Sequence, residues 1–395
     1  MNAYPKLRVL AKQAARLKSG SPWVYSNEVI MDRAVKALPP GTLVDIVGEQ
    51  GATFGTAYFN PHSLIAARLL SSKAGATIDA AHFAERIQAA RQLRDRVIAS
   101  PFYRLIHADA DNCPGLVIDR FNDVFVAQSG TAGTDALEKF WLEALIEEFK
   151  PRAVFIKSDA PSRSYEGLKD DTRCAFGDEA ARAFVEEAGI RHAFAPLTGQ
   201  KTGWFFDQRD NREFLSRLAT SATLLDAFSY TGALALAAMK AGAKSALMLD
   251  TSQVALDLAA ETASTNGLPD LIEMRRCDAL QELEEMGPAG ERFDVVSCDP
   301  PPFVRARKDL ESGARGYRKL ARLAAALVNR RGYLCIASCS HAISAERFQT
   351  ECSIGIARAG RTAKLIRAAG AAPDHPVHPM LPETAYLKSL VYQLD

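Results

Sequence analysis

"ATLLDAFSYTGALALAAMKAGAKSALMLD", residues 222–250, decides the fold. A short apolar run carries one acid, Asp226, and is followed by the turn Phe228-Ser229-Tyr230-Thr231-Gly232. A helical stretch then ends at Gly242, and a second apolar run ends in Asp250. The same alternation continues to the C-terminal side. "QVALDLAAETASTNG" reads as a helix, "DVVSCDPP" as a strand, "YRKLARLAAALVNRRG" as a helix and "YLCIASCSH" as a strand. Strands alternating with helices imply a mainly parallel, doubly wound sheet. It is expected over residues 189–395.

Upstream the pattern is different. Residues 1–72 read as a small β-rich domain, because "GTLVDIVGEQGATFGTAYFNPHSLIAARLL" alternates short apolar runs with Gly and Asn-Pro turn signals. Residues 73–188 read as a central α+β domain. There "IDAAHFAERIQAARQLRDRVI" has helical spacing with Phe83, Ile87 and Leu93 on one side, and residues 103–128 look like two strands joined by turns. His107, Asp109 and Asp111 suggest a metal, but Cys113-Pro114-Gly115 follows them, and a hydrogen-bonded turn is the reading adopted.

The totals narrow the function. Lys and Arg number 48 against 47 Asp and Glu, so any positive surface must be local. Two stretches qualify: Lys6, Arg8, Lys12, Arg16 and Lys18, and then Arg305, Arg307, Lys308, Arg315, Arg318, Lys319 and Arg322. Seven cysteines show no zinc or redox spacing, the N-terminus lacks an apolar signal core, and no apolar run has membrane-spanning length. A reduced, cytoplasmic protein with no membrane partner is expected. His375 and His378 in "DHPVHPM" lack a carboxylate or cysteine at ligand spacing, so no metal is assigned, and Pro376 and Pro379 suggest a rigid loop over the active site.

In doubly wound sheets ligands bind beyond the carboxyl ends of the strands. Asp226 ends the first strand, and Asp250 ends the next, where a carboxylate can accept ribose hydroxyls. Asp278 in "MRRCDAL" is placed to accept from an adenine amino group, and Asp299 ends the strand after it. Acids at four successive strand ends form a constellation, although Asp is also a good helix cap. The turn 228–232 has a single glycine, too few for a pyrophosphate cradle. A ligand with a ribose and no phosphate fits: S-adenosylmethionine, held by Asp226, Phe228, Ser229, Tyr230, Thr231, Gly232, Asp250, Asp278 and Asp299.

Asp299-Pro300-Pro301-Pro302-Phe303 then lies opposite the methyl group. Consecutive prolines make a stiff loop, Phe303 can stack on a planar ring, and Arg305 and Arg315 can hold flanking phosphates. A nucleobase flipped out of its stack is such a substrate, with Pro300, Pro301 and Phe303 forming its wall. Cys339 in "IASCSHA" supplies a nucleophile, since a thiolate adding to carbon 6 of cytosine activates carbon 5 for methylation. Cys339 and Asp299 are the catalytic candidates. A small buried cysteine is the competing reading of Cys339.

Several of these segments carry a likeness. "KSGSPWVYSNEV", "HADADNCPGLVIDRF", "EGL", "TGQKTGWFFDQRDNR", "LLDAFSYTGALALAAMKAGA", "DPPPFVRARKDLESGARGYRKL", "SCSH" and "HPVHPMLPETAYLK" resemble the bacterial large-subunit ribosomal RNA methyltransferases with an N-terminal PUA domain, close to the 23S rRNA cytosine-5 type. The likeness runs from near residue 18 to near residue 388. It implies a PUA domain, a central α+β domain and a Rossmann-like methyltransferase domain. It also implies ribosomal RNA as partner, a homodimer, and Gln200, Lys201, Phe206, Asp207 and Gln208 near the cofactor or its entrance. One departure is plain: many RNA cytosine-5 enzymes carry a second cysteine in the proline motif, and Pro301-Pro302-Phe303 carries none. A guanine N-methyltransferase, which needs no thiol adduct, is therefore the alternative enzyme. A non-catalytic RNA-binding protein, or an enzyme on protein or small molecules, are the alternatives of other classes.

Overall fold

Leu7 and Val9 are buried while Lys6 and Arg8 are exposed, the two-residue alternation of a half-buried strand. The computed structural model describes residues 4–11, 14–194, 196–197 and 202–395. In it this strand, β1 (Lys6–Val9), joins β2 (Trp23–Val24), β3 (Thr42–Gly48), β4 (Thr53–Phe59) and β5 (Ala67–Ser71) in a sheet of order β1-β3-β4-β5-β2. β1 runs parallel to β3, and the remaining pairs are antiparallel. Two short helices, α1 (Ala14–Lys18) and α2 (Arg33–Lys36), accompany the sheet. Gly55 in β4 has φ +134°, and a Cβ there would lie 1.9 Å from the Ser71 carbonyl oxygen, so only glycine permits the β4–β5 approach.

The following stretch packs α3 (Ala80–Val97) on β6 (Phe102–His107), and β7 (Leu116–Phe121) and β8 (Val124–Ser129) come next in the chain. The two strands expected over 103–128 are therefore three. Asn122, at φ 60°, and Asp123 make a tight turn that folds one long apolar stretch into the β7–β8 hairpin. Leu93 corrects a second expectation: it is 43% exposed, while Phe83, Ile87 and Arg94 are buried. Ten residues beyond Phe83, Leu93 falls about 80° off the stripe, and Arg94 returns to it. Arg94 is fully buried because both of its terminal nitrogens donate to Asp111. α4 (Ala132–Ala136) and α5 (Glu138–Phe149) then cross over to β9 (Ala153–Ser158), parallel to β8, and β10 (Asp171–Gly177) closes a sheet of order β10-β9-β8-β7-β6. His107, Asp109 and Asp111 lie at a hydrogen-bonded turn, with Asn112 left-handed and the Cys113 N–H donating to the Ala108 carbonyl at 3.0 Å.

The chain divides into two compact units, one of Met1–Ala183, Phe194–Trp204 and Pro373–Thr384, the other of Phe184–Ala193, Phe205–Ala372 and Ala385–Asp395. A hairpin of β11 (Ala183–Glu187) and β12 (Ile190–Phe194) leads into the second unit. Its strands are β13 (Thr223–Ala227), β14 (Ser245–Asp250), β15 (Ile272–Arg276), β16 (Phe293–Cys298), β17 (Val328–Ser338), β18 (Ala363–Ala369) and β19 (Lys388–Leu394), in the order β15-β14-β13-β16-β17-β19-β18. The first five in that order are parallel, and β19 pairs antiparallel with both neighbours.

Adjacent residues on these strands face opposite layers. Leu224, Met248 and Val295 pack with α6 (Arg209–Leu218), α7 (Ala233–Lys240) and α8 (Gln253–Thr265). Leu225, Leu247 and Val296 pack with α9 (Ala279–Ala289), α10 (Leu310–Ala326) and α11 (Ala345–Arg358). Burial on both faces is why the strands read as continuous apolar runs rather than alternating ones. Among the described residues no helix is long and apolar enough to cross a membrane.

Candidate active site

The sheet order reverses between β13 and β16, and the crevice of such a sheet opens there, beyond the carboxyl ends. Asp226 and Asp299 flank that point, and Asp250 and Asp278 follow at the ends of β14 and β15. Four acids thus stand along four adjacent parallel strand ends.

The turn after β13 is locally strained. Phe228 and Tyr230 have φ 62° and 51°, each costing about 1–2 kcal/mol for an L-residue. Hydrogen bonds to β14 hold it: the Ser229 N–H donates to the Leu249 carbonyl at 3.1 Å and the Tyr230 N–H to Asp250 Oδ2 at 2.8 Å. The Gly232 N–H donates to the Ser229 carbonyl at 2.9 Å, and a Cβ on Gly232 would sit 2.3 Å from Met248 Cε. These amides are already engaged and make no phosphate cradle. Asp250 also accepts from the Ser252 N–H at 2.8 Å, so one backbone donor fixes each oxygen and each keeps further acceptor capacity. Asp226 is buried and accepts from the Ala235 N–H at 3.3 Å. Burial pushes its carboxyl up to about 7, and the nearby Asp299 and Asp250 add to the rise. Asp278 caps α9, accepting from the Gln281 N–H at 3.0 Å, so it serves as a helix cap at its strand end.

The stretch before α6 reaches the same place. Gln208 donates to Asp299 Oδ2 at 2.8 Å and is itself held by Asn211 at 2.8 Å. Tyr386 donates to Asp207 Oδ2 at 2.6 Å, Phe206 is buried, and the Tyr230 ring meets Phe205 edge-on at 5.4 Å. Arg212 donates to both oxygens of Glu187 and its charge bears on Asp207 and Asp299. Gln200 and Lys201 lie outside the described residues.

Beyond β16 the backbone turns into the proline run. Pro300 is buried, Pro301 exposed and Pro302 half-buried. The half-buried Phe303 ring lies 4.8 Å from the Tyr317 ring, and Gly313 and Gly316 of α10 leave room for the Phe303 carbonyl and ring. The Phe303 N–H donates to the Tyr317 hydroxyl at 3.4 Å, and that hydroxyl bonds Ser338 Oγ at 2.7 Å. The Ser340 N–H donates to Ser338 Oγ at 3.3 Å, while Ser340 Oγ donates to the Val304 carbonyl. Cys339, half-buried, sits between these two serines. Lys388 Nζ donates to the carbonyls of Ser340 and Tyr386. The other nearby thiols are unsuited to reaction: burial pushes Cys298 well up and Cys335 up to about 12.

Sequence reasoning did not single out Asn211, Arg212, Tyr317, Tyr386 or Lys388. All lie in segments quoted above, and Gly313 and Gly316 beside Tyr317 signal a close backbone approach. The basic run divides. Arg318 pairs with Glu351 at 2.6 Å and Lys319 with Glu284 at 2.9 Å, whereas Arg305, Arg307, Lys308 and Arg315 are exposed and form no ion pair among the described residues. His375 bonds Asp374 at 2.8 Å, and no metal-binding group of His, Cys, Asp and Glu occurs among the described residues.

Two families match parts of the chain: the PUA-like domain over residues 7–72 and Conserved hypothetical protein 95 over residues 205–312. The ribosomal RNA large subunit methyltransferase I of Aliivibrio fischeri (strain MJ11) is 36% identical over 379 residues, 94% of this chain and 95% of its own. Its counterpart of the same name in Vibrio vulnificus (strain CMCP6) is 36% identical over 375 residues, 93% and 94% of the two chains. Among solved structures SMU.776, a proposed methyltransferase complexed with SAH, superposes with a TM-score of 0.84 over 98% of this chain and 100% of that one. At 20% identity that likeness is one of fold.

Proposed function

The chain belongs to the ribosomal RNA large subunit methyltransferase I family, and from that premise we propose that it methylates carbon 5 of a cytosine in 23S ribosomal RNA through a Cys339 adduct. It is an S-adenosylmethionine-dependent methyltransferase of large-subunit ribosomal RNA.

The residues present fit that methyl donor. The Ser229, Tyr230 and Gly232 amides of turn 228–232 are engaged by protein acceptors, which suits a phosphate-free nucleoside, and Asp250 retains lone pairs for ribose hydroxyls. Phe228, Ser229, Tyr230, Thr231 and Gly232 would wall the site, with Asp278 toward the adenine amino group and Asp226 and Asp299 on its acidic side. Phe206, Asp207 and Gln208 support that wall. S-adenosylmethionine supplies an electrophilic methyl group on a sulfonium.

The observation that carries the cytosine-5 reading is the placement of Asp299 and Cys339. They leave neighbouring parallel strands at the same end, joined through Tyr317 and the two serines. In the proposed reaction the Cys339 thiolate forms a bond to carbon 6. Carbon 5 then takes the methyl group, a base removes the carbon 5 proton, and the carbon–sulfur bond breaks to restore the ring and the thiolate. Asp299, protonated or through a water, stabilises the ring nitrogen as charge develops. Pro300, Pro301 and Phe303 border the flipped base, and Arg305 and Arg315 contact flanking phosphates.

We further propose three functional regions, a PUA-like RNA-binding domain over 1–72, a central domain over 73–188 and the methyltransferase domain over 189–395, and a homodimer. The test is nucleoside mass spectrometry on unmethylated ribosomal RNA with isotope-labelled S-adenosylmethionine. Label in 5-methylcytosine that disappears in Cys339→Ala supports the reading. Label in a methylguanine that survives the substitution overturns it in favour of direct methylation of nitrogen.

A further inference from the structure

Lys388 opens β19 directly opposite Ser338, the last residue of β17. Its Nζ donates to the Ser340 carbonyl and, at 3.0 Å, to the Tyr386 carbonyl, so the ammonium lies across the turn that carries Cys339. Holding a half-buried cation on two backbone carbonyls at this point costs desolvation, which lowers the Lys388 pKa, while the adjacent Cys339 acts in the opposite direction. Among the described residues, other ionisable groups around the turn come from α10, from the end of β16 and from the turn itself. Tyr317 of α10 is held neutral chiefly by burial, with Cys339 and Asp299 adding to the effect. Asp299 follows β16, and His341 stands in the turn itself with its ring 5.3 Å from that of Tyr386. Neither Asp299 nor Tyr317 brings positive charge to the sulfur; Lys388 does.

We propose that Lys388 is a positioning residue for the reacting thiol, fixing the 338–340 turn through its carbonyl contacts and supplying the positive charge that favours the Cys339 thiolate. The thiol proton leaves to solvent and the thiolate remains beside the ammonium. The inference rests on Cys339 being the nucleophile, and its test separates the two ideas.

The experiment is iodoacetamide alkylation of the full chain across pH, followed at the Cys339 peptide by mass spectrometry. Lys388→Gln keeps a donor for the carbonyls and removes the charge, whereas Lys388→Arg keeps the charge. The expected result is a midpoint about one pH unit higher in Lys388→Gln, a roughly tenfold slower reaction at neutral pH, with Lys388→Arg close to wild type. A wild-type profile in Lys388→Gln overturns the proposal, and so does an equal loss in both variants, which would mean geometry alone. If Lys388→Gln fails to fold, Lys388→Met provides the same charge-free comparison. Methyl transfer that survives Cys339→Ala would sink the nucleophile reading while leaving the alkylation result to stand by itself.

Discussion

Gly313→Ala tests whether the proline loop is seated by α10. In an open helix interior this substitution gains about 1 kcal/mol. Here a Cβ would lie 2.5 Å from the Phe303 carbonyl oxygen, 2.5 Å from Val304 Cγ2 and 2.7 Å from the Phe303 carbonyl carbon. Reaching ordinary contact distance needs a movement of roughly 1 Å. The obstruction is mostly backbone, so the loop itself must move rather than a side-chain tip. Overpacking of this kind costs about 1–3 kcal/mol, which offsets the helical gain and leaves a net loss of about 0–2 kcal/mol. On the reading proposed for Asp299 and Cys339 the larger effect is on catalysis, because a displacement near 1 Å beside reacting groups costs on the order of 100-fold in rate. Thermal denaturation and initial rates of methyl transfer on ribosomal RNA measure both quantities. A Gly313→Ala protein that melts at or above the wild-type temperature and turns over normally would refute the argument.

Two further outcomes follow from charge. Asp226 is pushed by burial from 3.8 up to about 7, so the folded state keeps a proton that the unfolded chain has lost, and its contribution to stability falls as pH rises between those values. Asp226→Asn has no proton to lose, so its melting temperature should gain on wild type across that window; a constant difference between the two proteins would contradict the burial argument. If Arg305 and Arg315 each neutralise one phosphate, replacing both by Ala should flatten the slope of log affinity against log salt by about 1.5, and an unchanged slope in filter binding would remove them from the RNA surface.

The catalytic sheet was legible because its strands are covered on both sides. Leu224 and Leu225, or Val295 and Val296, face opposite helix layers, and each run stops at an acid. Other features depended on contacts that a linear pattern does not carry. β18 is exposed along most of its length and shows no alternation, so its pairing with β19 left little trace. The Asn122-Asp123 turn is too short to break an apolar run visibly. Leu93 read as core because hydrophobicity alone was counted, whereas the buried place belongs to Arg94, made tolerable by Asp111. Segment Pro373–Thr384 is built into the first unit by Asp374, which accepts from the Arg104 N–H at 3.0 Å while its carbonyl accepts from Arg94. Sequence distances of about 270 residues hide such a bond.

The proline run makes sense once its donors are followed. The Asp299 N–H donates to the Ala227 carbonyl at 3.4 Å, and the next backbone N–H in the chain is that of Phe303, which donates to Tyr317 at 3.4 Å. Between them Pro300, Pro301 and Pro302 have none, so this partly buried loop contains no amide that requires a partner, and its φ angles are fixed in advance. A loop of ordinary residues in the same place would bury up to three donors or admit water to satisfy them. Tyr317 then links the loop to the 338–340 turn through one hydroxyl, and Ser340 returns a second bond to Val304. On the reading proposed for Cys339, the groups on either side of the base are held by one connected set of bonds. A thiol and an acid that must meet the same ring in sequence need their separation fixed to a fraction of an ångström. A stiff, donor-free loop bonded to the nucleophile's own turn provides that without relying on the substrate to organise it.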